Sequence, residues 1–148
     1  DRASRVKHII DSYAGIGVSE ISLGDTTGMA NPRMTGGFVS EILNGLKDID
    51  VAVHFHNSRG LGLANAYAAL EAGVRIFDSS VGGLGGCPTA IGAMGNIATE
   101  DLVNMIEEMD FSTGVDFEGL MRAVALIKEV LQTEPASYTF KQGRPVWK

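Results

Sequence analysis

Three β-rich runs recur along the chain at intervals of about 25 to 30 residues, each separated from the next by a segment whose apolar residues return at helical spacing. The runs are "VSEISL" (18–23), "VAVHFH" (51–56) and "VRIFDSSV" (74–81). Between them, Val39, Ile42, Leu43 and Leu46 mark one helical face, and Leu63, Ala66, Tyr67 and Leu70 mark another that Gly73 is placed to end. A leading helix is predicted on Val6, Ile9, Ile10 and Tyr13, stopped by Gly15 and Gly17. Two further helices follow on Leu102, Met105, Ile106 and Met109, and on Leu120, Ala123, Val124, Ile127 and Leu131. Strands spaced by helices in this way run parallel and are joined by right-handed crossovers.

Such an alternation builds either an open doubly wound sheet or a closed (β/α)8 barrel. In both, ligands meet the protein at the carboxyl ends of the strands. The polar residues collect there each time: Asp25 after the first run, His54 and His56 at the end of the second, and Ser79 to Cys87 after the third. A whole barrel usually needs ~250 residues, so this chain of 148 is long enough for about half of one. Nothing in it reads as a repeat or linker.

Composition removes several classes of partner. The formal charge is -6, from 12 Lys and Arg against 18 Asp and Glu, and no basic stripe suited to nucleic acid is present. No apolar stretch approaches the ~20 residues of a membrane span, and no basic segment followed by an apolar run opens the chain. With a single cysteine there is no internal disulfide, so a soluble protein of the reducing cytoplasm is expected. The first residue is Asp1, inside a predicted helix, so a fragment or processed piece is also considered.

Within "HFHN", residues two apart on a strand share a face, so His54 and His56 present both imidazoles to one point. Two imidazoles with oxygen ligands suit a divalent cation; the alternative is a pair that hydrogen-bonds backbone groups. The glycine-rich segment "SVGGLGGCPTA" (80–90) is not a dinucleotide fingerprint, because Gly83, Gly85 and Gly86 are followed by Cys87 and Pro88, not by the opening of a helix. A loop that brings backbone amides and a thiol to a ligand is left, although a lone cysteine also serves as a small buried hydrophobe. In "GAMGNIATEDL" (92–102), Thr99 or Asn96 would cap a helix whose dipole favours Glu100 and Asp101, while Asn96 could instead offer its amide oxygen to a metal. Asp25, in "LGDTTG", is either a turn-former or a carboxylate aimed at the site.

Taken together, "EISLGDTTGMANP", "VHFHNSRGLGLAN", "DSSVGGLGGCP" and "GNIATEDLV" resemble the 3-hydroxy-3-methylglutaryl-CoA lyase family of metal-dependent TIM-barrel lyases, over residues 18–120. The resemblance implies that His54, His56 and Asn96 bind Mg²⁺ or Mn²⁺. It implies that Cys87 acts in proton transfer on a loop over the substrate, that Asp25 lines the site, and, as a weaker carry-over, that Glu100 belongs to the catalytic residues. Residues 1–132 would then be the C-terminal half of a TIM barrel, strands five to eight, and 133–148 a tail of unknown placement. The implied reaction cleaves 3-hydroxy-3-methylglutaryl-CoA to acetoacetate and acetyl-CoA, in an enzyme that is a homodimer when complete. The family's first-strand Asp-Arg pair has no counterpart here, so this half would need its N-terminal complement. "HNS" at His56 to Ser58 also departs from the commoner "HDT". A related Claisen-type synthase or aldolase, or a non-catalytic half-barrel, are the alternatives.

Overall fold

The computed structural model describes residues 2–46, 48–86 and 95–146. The order of elements is α1 (Arg2–Ala14), β1 (Glu20–Asp25), α2 (Pro32–Leu43), β2 (Asp50–Phe55), α3 (Gly62–Glu71), β3 (Ile76–Asp78), a 3₁₀ turn (Val81–Gly83), α4 (Thr99–Glu108), α5 (Phe117–Leu131) and α6 (Tyr138–Gln142). The three strands form one parallel sheet in the order β1-β2-β3, with Leu23 opposite Val53 and His54 opposite Asp78. All five expected helices and all three expected strands are present, within a few residues of their sequence boundaries. Instead of a fourth strand, the described residues after the glycine segment make two isolated bridges, His56 with Asn96 and Ser80 with Ala98.

The pleat sorts the side chains of β2. Val53 and Phe55 face the helices and join Val39, Ala66, Ala69, Leu70, Ile97 and Leu102 in the main core. Ala52 and His54 point to the opposite face, where their β1 counterparts Ser22 and Gly24 are exposed. The strand is therefore apolar on one side and ends in imidazoles on the other.

Helix α2 opens as its sequence dictates: Asn31 caps it by accepting from the Met34 amide, and Pro32 supplies the first-turn φ. Helix α1 differs from expectation. Its buried stripe runs through Ala3, Val6 and Ile10, which pack on Ile42, Phe38 and Ile21. Ile9 and Tyr13, expected on the same face, are half exposed. One residue of a helix turns ~100°, so with the stripe centred on Ala3, Val6 and Ile10, the side chains of Ile9 and Tyr13 fall on its flank.

Residues 133–146, unplaced by the sequence, dock onto the preceding elements. Asp101 accepts from Ser137 Oγ at 2.9 Å, from the Tyr138 amide at 3.0 Å and from the Thr139 amide at 2.7 Å. Ser137 is fully buried and in turn caps α6 by accepting from Phe140 N. Arg144 lies 3.5 Å from the centre of the Phe117 ring and pairs with Glu107 at 2.8 Å. The Thr113 hydroxyl, donating to Glu107, holds this carboxyl below its usual 4.5 against the opposing effect of desolvation, and Arg144 adds to the lowering. A carboxyl whose pKa is depressed by folding stabilises above its unfolded value, and that contribution is lost as pH falls through the folded value. Arg144→Ala should therefore move the Glu107 titration, followed by carboxyl-carbon NMR, upward toward 4.5, and an unmoved midpoint would remove Arg144 from the effect.

Among the described residues, no helix is long and apolar enough to cross a membrane.

Candidate metal centre and its relatives

His54 and His56 lie at the carboxyl end of β2 with ring centroids 5.1 Å apart and planes at 71°. His56 is buried, and His54 keeps a quarter of its side chain exposed. Backbone bonds bring Asn96 to them: Asn57 N donates to Gly95 O at 3.0 Å and Ile97 N donates to Phe55 O at 3.1 Å. These bonds flank the His56–Asn96 bridge, which makes the two residues a non-hydrogen-bonded antiparallel pair. That is the geometry in which facing side chains approach most closely. The Asn96 amide nitrogen donates to Leu84 O at 2.8 Å, which orients the group. Its Oδ1 is buried and has no hydrogen-bond partner among the described residues. A buried, oriented carbonyl oxygen left unpaired beside an imidazole costs free energy unless something positive meets it.

The donor set is two imidazoles and an amide oxygen, which fits a divalent cation of intermediate hardness better than a thiolate-seeking one. Among the described residues no three His, Cys, Asp or Glu side chains are arranged so that together they could hold a metal ion. A carboxylate would complete the set only if it came from outside these residues.

The other expected residues separate. Asp25 shares its register with Phe55 and so belongs to the helix-facing side of the sheet. Its two oxygens accept from the Met29 and Ala30 amides, each at 3.0 Å, so it shapes the loop that follows β1. Arg59 grips the same loop through Thr27 O and Gly28 O. A cavity of about 560 Å³ adjoins Asp25, but its walls are mainly apolar, with Leu23, Phe38, Val53 and Phe55, and neither histidine lines it. Glu100 is fully buried and does not cap its helix: the N-cap of α4 is Ala98, without a side-chain bond, in place of the expected Thr99 or Asn96. Thr99 Oγ1 pairs instead with Ser79 Oγ at 2.9 Å. Glu100 Oε2 accepts from Gly82 N at 3.0 Å and thereby anchors the 3₁₀ turn at the start of the glycine segment. The carbonyl of the same Gly82, at φ +67°, accepts from Ala136 N, so the docked tail supports that turn too. Cys87 lies outside the described residues. Asn57, where the sequence departs from the commoner aspartate, accepts from Gly62 N and closes the first turn of α3.

Asp78 escaped the sequence reading, and Asp101 was read only as an acid favoured by its helix's dipole. Asp78 Oδ2 sits 2.8 Å from His54 Nδ1; an acid as the last residue of β3, one strand over from a histidine at the same level, was the available signal. Asp101 had only its place in a helix's first turn, and its partners lie 36 to 38 residues away.

A parallel α/β sheet whose strand ends gather two imidazoles and a buried amide oxygen defines the class as a candidate metal-dependent α/β protein. The chain belongs to the HMGL-like family, whose model matches residues 2–127. It is 49% identical over 125 residues to hydroxymethylglutaryl-CoA lyase YngG of Bacillus subtilis, covering 84% of this chain and 42% of that protein. It is 45% identical over 119 residues to (R)-citramalyl-CoA lyase of Chloroflexus aurantiacus, covering 80% and 38%. Among solved structures, an HMG-CoA lyase from Acinetobacter baumannii in complex with coenzyme A and 3-methylmalate superposes with a TM-score of 0.88 at 43% identity, over 97% of this chain and 47% of that one. The chain thus spans about two fifths of the length of the curated relatives it matches.

Proposed function

We propose that this chain is the carboxyl-terminal half of a (β/α)8 barrel and carries the metal-site side of a hydroxymethylglutaryl-CoA lyase. The observation that bears most weight is the meeting of His54, His56 and the unpaired Asn96 Oδ1 at the strand ends. The similarity to lyases of acyl-CoA substrates and the coverage of 47% of a lyase structure support it further. Among the described residues β1 pairs only with β2, and its other edge is where the remaining strands would continue the barrel.

In this reading, His54, His56 and Asn96 hold Mg²⁺ or Mn²⁺. When bound, the cation supplies Lewis acidity that lowers the pKa of a substrate alcohol. The protein's own task is to orient the substrate and manage protons. The bond between C2 and C3 of 3-hydroxy-3-methylglutaryl-CoA breaks: the C3 hydroxyl passes its proton to a general base of the completed site, distinct from Cys87, and becomes the ketone of acetoacetate, and the electron pair passes to C2 as a thioester enolate. Cys87 returns one proton to C2 and releases acetyl-CoA; the ~8.5 reference pKa of a thiol lies within tuning range of this role. Glu100 and Ala136, which hold Gly82 from its two sides, fix the turn from which the segment leading to Cys87 departs. Asp25 serves by shaping residues 26–30.

In a sample completed with the N-terminal half of the Bacillus subtilis relative, Cys87→Ala should leave Mn²⁺ affinity unchanged and lower turnover by ~10²-fold or more. Turnover equal to wild type would remove the thiol from the mechanism.

A further inference from the structure

Neutral imidazole carries its proton on either nitrogen, and only the unprotonated one can ligate a metal. The parallel register of β2 and β3 sets Asp78 beside His54, and Asp78 Oδ2 lies 2.8 Å from His54 Nδ1. An ionised carboxylate is only an acceptor, so Nδ1 is the protonated nitrogen and Nε2 keeps its lone pair. We infer that Asp78 is a positioning residue that fixes the tautomer and ring orientation of His54, so that Nε2 is the nitrogen offered to a divalent cation. This inference rests on the metal reading above. Asp78 itself is 63% exposed, so its removal leaves no void in the core.

The test uses the whole chain and has two readouts. First, ¹⁵N imidazole NMR without metal, at a pH where His54 is neutral, should show the Nδ1-protonated form in the wild type and a mixture of forms in Asp78→Ala. Asp78→Asn, whose amide oxygen can still accept, should retain most of the wild-type form. Second, Mn²⁺ titration should give a dissociation constant raised ~10- to 100-fold by Asp78→Ala, the range seen for partners of ligating histidines, and raised less by Asp78→Asn. Circular dichroism melts should coincide for all three. If the wild type binds Mn²⁺ and Asp78→Ala binds it equally with the same tautomer, the role of Asp78 is overturned while the metal reading stands. If the wild type does not bind Mn²⁺, the metal reading fails, and an unchanged tautomer in Asp78→Ala would overturn the positioning role as well.

Discussion

Mn²⁺ affinity should fall in His56→Ala by more than the ~10- to 100-fold typical of residues that merely support a ligating histidine, because in the proposed metal site this substitution removes a ligand itself. His56 is 6% exposed and paired across the bridge with Asn96, so no other described side chain stands ready to replace it. His54→Ala should have a similar but smaller effect, since its site is open enough for water to take up the vacated position. Isothermal titration with Mn²⁺, run beside a melting curve to verify folding, measures both. Wild-type affinity in a folded His56→Ala would remove this residue from the cation site.

Asp101→Ala should cost about 3 kcal/mol of stability, which for a chain of this size lowers the melting temperature by roughly 6 to 12 °C. The carboxylate receives a hydroxyl and two backbone amides from the tail, and hydrogen bonds to a charged group are worth more than neutral ones. Without it those donors are buried and unsatisfied, or the tail leaves to find water. The second course caps the loss at the docking energy of the tail, which is why the three bonds are not summed at full value. Hydrogen exchange distinguishes the two courses: detachment should expose the Thr139 amide and, through the lost Ala136 bond, loosen Gly82. A melting temperature within a degree of wild type would mean that the tail contributes nothing through this carboxylate.

The alternation of strands and helices was legible because each element carries its own period, two residues in "VAVHFH" and 3.6 in the segments between. The histidine pair was legible for the same reason: two residues apart on a strand is a statement about facing. Asn96 was left open between capping and ligation, and what separates these readings is a backbone bridge to His56, forty residues earlier in the chain. Local pattern cannot express such a contact. Asp101 shows the same limit more sharply, for dipole and capping arguments see only its own helix while its partners belong to the tail. Asp25 is the opposite case, since both of its bonds are to amides four and five residues on, a turn-forming geometry that the sequence had offered as one of two readings. In α1 the period was right and the phase was not, because Ala3 contributes little to a hydrophobic pattern yet belongs to the buried stripe.

We propose that this chain supplies the metal-binding half of a hydroxymethylglutaryl-CoA lyase. This is tested most directly by following acetoacetate released from 3-hydroxy-3-methylglutaryl-CoA with Mg²⁺ or Mn²⁺, using the chain alone and the chain combined with the N-terminal half of the Bacillus subtilis relative. The chain alone should give no product, the combination should give product, and that product should be lost when His56 is replaced by alanine. A folded, associated combination that releases no acetoacetate, or one whose activity survives His56→Ala, would contradict the proposal.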